Sequence, residues 1–544
     1  MRFYTFLLFA FLIFSCKNPK SDSELNIENN ISENDSSKDF REFKVLDSKY
    51  INNETLWQPF ENDLKSFSES DYNNLKPLII EQDIPALQKH IQKGDLSYEL
   101  LTKFYLYRIR KFDRENELSL NSVISLNPNI IQQAKKADNK KFETAPHQIF
   151  GMPILLKDNI NTSEMPTTAG AVALQNNKTD DAFIVKQLKS KGALIIGKAN
   201  LSEWAYFFCG DCPSGYSAIG GQTLNPYGRR TIDTGGSSSG SGVSVAANFC
   251  VAAVGSETSG SILSPSSQNS VVGFKPTIGL LSRGGIVPIS STLDTPGPMT
   301  KNVTDNAIML DAMFGKDSED DKSIYAIWEN GFYINDLAEN DLKGKRFGAP
   351  KRLLKDTLYV NAINILKHQG AEIIEIDERQ IGLPNFLSLL NLDMKKDLPA
   401  YLSSHANDGV KVKSVEDVIA FNKNDSVNSM PYGQKLFNGI VADNGTADFL
   451  EKIKDTLHNN GKRYFDLPFH DNKLDGFLSI NNYHAGFAAV AEYPAITVPM
   501  GYTKEGVPKG LTFIGSRLQE KFLLQWAYAF EQASKKRLTP ANYD

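Results

Sequence analysis

One lysine and two serines stand out in this chain as residues that could do chemistry together. Lys157 ends the apolar run Gly151–Lys157 and is the only charged residue in it, so we expect its side chain to be partly buried. Ser237 and Ser261 lie 24 residues apart, each in a glycine- and serine-rich run. A serine hydroxyl needs a base at neutral pH, and a lysine is that base only where burial makes its neutral form accessible. The second hydroxyl could carry the proton between the base and the nucleophile.

The two glycine- and serine-rich runs are not flexible linkers, because each is joined directly to an apolar segment. Gly235–Gly242 precedes an apolar run, and Gly255–Ser261 follows Ala252–Val254. Glycines in such places permit close backbone approach and unusual dihedral angles. Consecutive backbone N–H groups could then converge on one oxygen as an oxyanion hole, at Thr258, Ser259, Gly260 and Ser261. A single donor in such a hole is typically worth roughly 3–4 kcal/mol.

This arrangement resembles the amidase signature family, whose members use a Ser-cisSer-Lys triad. The resemblance is dense from about Gln148 to Asp305 and returns at Tyr493–Pro499 and Gly510–Gly515. The flanking motifs also match, at Asn200–Ala205, Gly220–Thr223, Asn225–Tyr227, Gly273–Thr277 and Asp294–Met299. The resemblance implies that Lys157 is the base, Ser237 the bridging serine after a cis peptide bond, and Ser261 the nucleophile. It also places the family's oxyanion hole at Thr258–Ser261 and implies that no cofactor is needed.

The nucleophile motif departs from the commonest family pattern, G-T-D-T-G-G-S-I-R. Here Glu257 replaces Asp, Ser259 replaces Gly, and Leu263 replaces an arginine that binds acidic substrates or organises the site in some members. With Leu263, we do not expect a free carboxylate close to the scissile amide. The motif, together with Ser282–Ser290, is similar to the bacterial peptide amidase branch, which implies a neutral carboxamide substrate such as a peptide C-terminal amide.

A second serine motif offers a weaker alternative. Gly236–Gly240 fits G-x-S-x-G, the nucleophile elbow of α/β-hydrolases, and would make Ser238 the nucleophile with His470 or His484 as base. The elbow must follow a buried strand, but the preceding residues Tyr227–Thr234 are polar. The seven histidines show no HxxxH or HExxH spacing, so no metal site is expected.

The N-terminus reads as a targeting segment. Met1–Arg2 is basic, Phe3–Phe14 is almost wholly apolar, and Cys16 follows a small residue. An apolar run of about 12 residues is too short to span a bilayer but suits a signal peptide. The position of Cys16 resembles a bacterial lipobox, which implies a signal peptide at residues 1–15, lipid on Cys16 and a cell-envelope membrane anchor. An ordinary signal peptide is the alternative.

The rest of the chain reads as one α/β enzyme domain. A polar tether at residues 16–45 and a lead-in at 46–96 precede an amidase domain at 97–536. Strands and helices alternate, which favours a large mixed β-sheet layered between helices. Val243–Val254 is predicted as a helix, and Leu201–Ala205 as the start of one. Residues 319–472 carry more charge and fewer glycine motifs and include helical patches, which predicts a helical insertion or cap. The family resemblance implies that this region is variable and shapes the substrate pocket.

Charge and cysteines add further limits. The net charge of −5 gives no basic surface for nucleic acid. Cys209 and Cys212 form a CxxC motif that fits either a disulfide in an exported chain or two free thiols.

From the lysine, the two serines and the family resemblance, we predict an amidase that takes a small-molecule or peptide amide. Two alternatives stay open: the amidase subunit of a tRNA amidotransferase, and a non-catalytic lipoprotein that binds peptides or glycans.

Overall fold

The structure is a computed structural model that describes residues 43–140, 147–325, 331–338 and 342–544. Asp39–Asp544 forms one compact unit. The predicted signal peptide, Cys16 and most of the tether lie outside the described residues.

The strands are β1 Val123–Leu126, β2 Pro153–Lys157, β3 Leu194–Ala199, β4 Tyr216–Ser217, β5 Gly221–Gln222, β6 Ala252–Glu257, β7 Val272–Lys275, β8 Thr295–Thr300, β9 Arg346–Pro350, β10 Glu372–Ile376, β11 Gly476–Ile480, β12 Ala495–Tyr502 and β13 Pro508–Ile514.

Eleven of these strands form a single mixed sheet, in the order β1-β3-β2-β6-β8-β7-β12-β13-β11-β9-β10. The pairs β2/β3, β2/β6, β9/β11 and β9/β10 are parallel, and the other neighbours are antiparallel. Every residue of β2, β3, β6 and β8 is buried. Side chains alternate between the two faces of a strand, so both faces of the sheet are covered here.

Helices supply that cover. They are α1 Asn53–Trp57, α2 Glu61–Lys65, α3 Glu69–Ile79, α4 Ile84–Lys93, α5 Tyr98–Ile109, α6 Ile130–Lys140, α7 Phe183–Ser190, α8 Ser239–Ala246, α9 Leu263–Gln268, α10 Val303–Met313, α11 Thr357–His368, α12 Phe386–His405, α13 Val415–Asn424, α14 Ser426–Ser429, α15 Lys435–Ala442, α16 Ala447–Asn472, α17 Ala485–Val490 and α18 Glu520–Ser534. The helices α8 and α9 contact each other and the central strands, while α7, α10, α18 and α11 form a second connected group. The predicted α/β class with a large mixed sheet is confirmed.

Two local predictions are wrong. Val243–Val254 is not one helix, because α8 ends at Ala246, Asn248 adopts a left-handed φ of 57°, and Ala252 begins the central strand β6. Small apolar residues suit a strand between two sheet neighbours as well as they suit a packed helix. The segment Leu201–Ala205 does not begin a regular helix either, because Trp204 and Ala205 have φ values of 51° and 54°.

The described residues of the lead-in and of the predicted insertion form regular elements. The lead-in at 46–96 forms α1–α4, whose apolar side chains join the main hydrophobic core, at Trp57, Tyr72, Ile79, Ile84 and Leu87. The predicted helical insertion is helical from α12 to α16, but its earlier part contributes strands β9 and β10 to the sheet edge. In the part of the chain that the structure describes, no helix is long and apolar enough to cross a membrane.

A second hydrophobic cluster lies apart from the main core and gathers α12, α13, α15 and α16. It includes Trp204 and Phe208, so it reaches the loop that follows β3. Cys209 and Cys212 of that loop are joined by a disulfide with a Cα–Cα distance of 5.9 Å, which resolves the two alternatives left by the sequence.

Candidate active site

Lys157 ends β2, an inner strand of the sheet, and its side chain is fully buried. Its Nζ lies 2.7 Å from Ser237 Oγ, 2.9 Å from Ser256 Oγ and 3.0 Å from the carbonyl oxygen of Ser256. Burial lowers the pKa of Lys157 to about 7, against the opposing effect of the nearby carboxylates of Asp294 and Glu257. The expected burial is therefore confirmed, and a large neutral fraction of this amine is accessible near pH 7.

The three oxygen partners of Lys157 limit where the lone pair of its neutral amine can point. An ammonium group donates three hydrogen bonds, which these three oxygens accept. A neutral amine keeps only two N–H groups and needs one donor in return. The carbonyl oxygen of Ser256 can only accept, and Ser256 Oγ also accepts from Asn159 Nδ2 at 2.9 Å. Two hydroxyls, those of Ser237 and Ser256, can therefore donate to the neutral amine, and the proton relay requires that Ser237 does so.

Ser237 follows a cis peptide bond from Gly236, as the family resemblance implied. The backbone N–H of Ser202 donates to the Ser237 carbonyl at 3.0 Å, and α8 begins two residues later. A Cβ at Gly240 would lie 2.4 Å from the carbonyl oxygen of Asn200, so only glycine lets α8 approach this backbone. The glycine-rich run therefore seats Ser237 against the core, and it is not a linker.

Ser261 lies in the turn between β6 and α9, where Gly260 has a φ of 89°. The backbone N–H of Ser238 donates to the Ser261 carbonyl at 3.1 Å, which ties the two serine runs together. Lys157 and Ser237 are fully buried, whereas Ser261 is 9% exposed. Of the three predicted residues, Ser261 is thus the one nearest to solvent, as a nucleophile requires.

The carboxylate of Glu257 holds the end of this turn by hydrogen bonds to its backbone. Its Oε2 accepts the backbone N–H groups of Ile262 at 2.7 Å and Leu263 at 3.0 Å. Burial raises the pKa of Glu257, and the hydrogen bonds from Leu263 and Ile262 oppose that rise. The larger acid that replaces Asp in this chain therefore serves as an acceptor for the start of α9.

The predicted oxyanion donors are the backbone N–H groups of the same turn, from Thr258 to Ser261. Among the described residues, those of Thr258, Ser259 and Ser261 donate to no protein acceptor. Ser259 replaces a glycine of the usual motif, and its φ is not positive, so the position does not require glycine. The substitution therefore leaves the turn intact, and the oxyanion role stays a prediction.

Leu263 replaces the arginine of the usual motif and is 1% exposed. It packs in an apolar cluster with Phe477, Phe487 and Tyr493, among others. An aliphatic side chain carries neither a charge nor a hydrogen-bond donor. The position therefore offers nothing that would bind a substrate carboxylate.

A cavity of about 270 Å³ borders the site. Ser256, Thr258 and Asn159 form part of its wall, while Ser237 and Ser261 are not among its lining residues. Other walls come from the loop that contains Arg283–Ser291, from residues 319–321 and from one face of α12. The predicted role of the insertion in shaping a pocket is consistent with this contribution from α12.

Three residues beside the triad were missed by the sequence reasoning: Ser256, Asn159 and Asp294. Asp294 accepts hydrogen bonds from the Thr258 hydroxyl and from the backbone N–H groups of Ile289, at 2.8 Å, and Ser290, at 3.0 Å. All three lie inside motifs that matched the family, so they were visible. Each of them contacts a residue that is distant in sequence, and no motif spacing predicts such contacts.

The alternative built on Ser238 finds no support. Ser238 Oγ donates to the carbonyl of Ser256 at 3.1 Å, and the described residues directly before it form no strand. His484 bonds instead with Ser479 Oγ and, at 2.9 Å, with Glu378 Oε1. The side chain of His470 is 92% exposed. In the described ranges, no group of three or more histidines, cysteines or acids is placed to hold a metal ion.

Comparison with known proteins agrees with this geometry. The family model named Amidase matches residues 101–430. A probable amidase of Arabidopsis thaliana is 37% identical over 85% of this chain and 92% of its own length. The crystal structure of an amidase family protein from Bacillus anthracis is 39% identical, with a TM-score of 0.87 over 91% of this chain and 99% of that one. The crystal structure of a peptide amidase from Stenotrophomonas maltophilia is 37% identical, with a TM-score of 0.81 over 85% of this chain and 98% of that one.

Other relatives are subunits of tRNA amidotransferases. One of them, from the glutamyl-tRNA(Gln) amidotransferase of Thermoanaerobacter pseudethanolicus, is 30% identical over 84% of this chain and 97% of its own length. The family match spans more than half of the chain, and relatives more than 30% identical cover most of it. The chain therefore belongs to the amidase family, has the amidase-signature fold and is a hydrolase of amide carbon–nitrogen bonds.

Proposed function

We propose that this hydrolase cleaves a neutral carboxamide, such as a peptide C-terminal amide, to a carboxylate and ammonia through an acyl-serine intermediate. The observation that carries the proposal is the buried Lys157 amine, 2.7 Å from the Ser237 hydroxyl. A base with a pKa of about 7 is half neutral at the pH where most proteins work.

The first half of the reaction forms the acyl-enzyme. Ser237 gives its hydroxyl proton to Lys157 and takes the proton of Ser261, whose Oγ attacks the carbonyl carbon. The carbonyl π electrons move to oxygen, and the backbone N–H groups of Thr258–Ser261 stabilise that oxyanion. The relay then returns the proton to the leaving nitrogen, the carbon–nitrogen bond breaks and ammonia departs.

The second half regenerates the enzyme. A water molecule gives a proton to the same relay and attacks the ester carbonyl of the acyl-serine. The oxyanion forms again at the same donors and collapses, and the proton returns to Ser261 Oγ. The products are a carboxylic acid and free enzyme, so one water is consumed for each amide that is cleaved.

Two observations support a neutral carboxamide with a peptide-like acyl part. The Leu263 side chain lies in an apolar cluster, so the motif lacks the arginine that would favour an acidic substrate. The similar structure from Stenotrophomonas maltophilia is a peptide amidase. Together they favour peptide amides as the first substrates to assay.

The test is ammonia release by the purified chain from peptide amides, short aliphatic amides and aryl amides, with Ser261→Ala in parallel. Release by the wild type alone supports the proposal, and the panel ranks the substrate classes. Activity of the chain by itself would also count against an amidotransferase subunit that needs its partners. No release, with no labelling of Ser261 by a fluorophosphonate probe, would favour the non-catalytic alternative.

We also propose that the chain is tethered to a cell-envelope membrane through lipid on Cys16. The support is the sequence of residues 1–16 alone, with its basic start, apolar run and cysteine. Expression in a bacterial host with an alkyne-bearing fatty acid would label the wild type and not Cys16→Ser. Equal labelling of both chains, or labelling of neither, would contradict the tether.

A further inference from the structure

The cavity beside Lys157 has an unusual balance of charge. Five carboxylates line it against a single guanidinium, and they belong to Asp294, Glu319, Asp320, Asp321 and Asp397. The one cation, Arg283, is already engaged: it pairs with Asp320 through two of its nitrogens and with Asp321 at 2.9 Å. It also donates to the carbonyl of Ser291.

The other three carboxylates have no cationic partner within salt-bridge distance among the described residues. Asp397 accepts the backbone N–H of Ser291 at 2.6 Å, and Asp294 accepts hydrogen bonds only from neutral groups. Glu319 is exposed at the rim. The other titratable groups that line the cavity are His405, whose pKa is lowered by burial, and Tyr401, whose pKa is raised by burial.

One of the residues that line the same cavity carries an unpaired acceptor. Asn159 lines it and is 2% exposed, and its Nδ2 donates to Ser256 Oγ at 2.9 Å and to the carbonyl of Val287 at 3.4 Å. Oδ1 of the same side chain has no hydrogen-bond partner among the described residues. A buried polar atom without a partner is costly, and a ligand with N–H groups would satisfy it.

We propose that this cavity is a subsite for a cationic group of the amide substrate, an ammonium or guanidinium carried a few bonds from the scissile carboxamide. The inference deepens the proposed hydrolysis and rests on it. Unpartnered carboxylates and a buried amide oxygen form a set of acceptors, and such a cation supplies several N–H donors with the opposite charge. The wall shared with Ser256 and Thr258 places that group next to the reacting amide.

The first test is the ratio of kcat/KM for two amides that differ only in charge, N-acetyl-L-lysinamide and N-acetyl-L-norleucinamide. We expect the wild type to prefer the lysinamide about tenfold at low salt, and the preference to shrink in 0.5 M NaCl as screening increases. Asp397→Asn, which keeps an acceptor for the Ser291 N–H, should lower the ratio about tenfold. Glu319→Gln at the exposed rim should lower it less.

Asp455→Asn is the matched control, because it removes the same charge from an exposed position on the neighbouring helix α16. The ratio should not change in that variant. A wild-type ratio near one, or equal ratios in Asp397→Asn and Asp455→Asn, would overturn the subsite and leave the proposed hydrolysis standing.

Binding to the Ser261→Ala chain separates the two proposals when hydrolysis itself fails. Calorimetry on that variant should show about tenfold tighter binding of N-acetyl-L-lysinamide than of the norleucinamide, with the difference lost on adding Asp397→Asn. Equal binding of both amides would overturn the subsite. Selective binding without any hydrolysis by the wild type would retain the subsite and overturn the proposed reaction.

Discussion

Ser256 Oγ lies 2.9 Å from Lys157 Nζ, and the two residues stand on the adjacent parallel strands β6 and β2. The ladder that pairs these strands therefore also sets the orientation of the amine. Together with the carbonyl of the same serine, this hydroxyl takes two of the N–H groups of Lys157 and leaves its third position to Ser237.

Replacing Ser256 by Ala should lower kcat about 10- to 100-fold while KM changes little. The variant removes one hydrogen bond to the amine, and bonds to charged or ionisable groups are worth about 1.5–3 kcal/mol. Steady-state kinetics on a neutral amide would measure kcat and KM separately for the variant and the wild type. A change in KM alone would show that Ser256 contacts substrate and does not position the base.

Replacing Ser261 by Ala should lower kcat by about 10⁴-fold or more and abolish labelling by a fluorophosphonate probe, since the nucleophile is lost. Ser264→Ala is the matched control, because Ser264 lies three residues away at the start of α9 and is half-buried. That variant should keep both properties. Labelling of Ser261→Ala at the wild-type rate would locate the nucleophile elsewhere.

The rate of acylation should rise with pH to a plateau whose midpoint lies near pH 7. The unprotonated amine of Lys157 is the active form, and its pKa is about 7 in the folded protein. Single-turnover measurements of kcat/KM from pH 5 to pH 10 would locate the midpoint. A profile that still rises steeply near pH 10, the ordinary range of lysine, would contradict a base that is neutral by burial.

The lowered pKa of Lys157 also makes the free energy of unfolding depend on pH. Between pH 7 and about 10, the unfolded chain still holds the Lys157 proton that the folded chain has released, so the free energy of unfolding rises with pH across this window. The variant Lys157→Met lacks this contribution. Its stability relative to the wild type should therefore fall between pH 6.5 and pH 9, as urea unfolding would show.

Lys452→Met provides the baseline for that comparison, because Lys452 is exposed on α16. Its stability difference from the wild type should stay constant over the same pH range. A constant difference for Lys157→Met as well would mean that the folded state keeps the proton of Lys157 throughout.

Gly240→Ala should lower the free energy of unfolding by about 1–3 kcal/mol, since its new methyl group would meet the Asn200 backbone at 2.4 Å. Gly439→Ala in α15 is the contrasting control, because nothing lies within 4 Å of its Cβ position. Alanine there should stabilise the helix by roughly 0.5–1 kcal/mol. Equal effects of the two changes would show that α8 can shift away from Asn200.

The positions of the base and the nucleophile could be predicted because local sequence encodes them. An apolar run ending in a lysine gave β2, and glycine-rich motifs gave the turns that hold Ser237 and Ser261. Asn159 and Ser256 could not be assigned a role, because each acts through a partner about 100 residues away. The helix predicted over Val243–Val254 failed because small apolar residues fit a central strand equally well.

The α12 helix supplies a wall of the cavity but belongs to the hydrophobic cluster that lies apart from the main core. The strands that carry Lys157 and Ser256 lie in the sheet itself. The cavity therefore joins two parts of one fold, because α12 lines it together with Ser256 of β6, which contacts the base. A substitution on the cavity face of α12 would change a wall of the pocket without removing any of the three hydrogen bonds of Lys157.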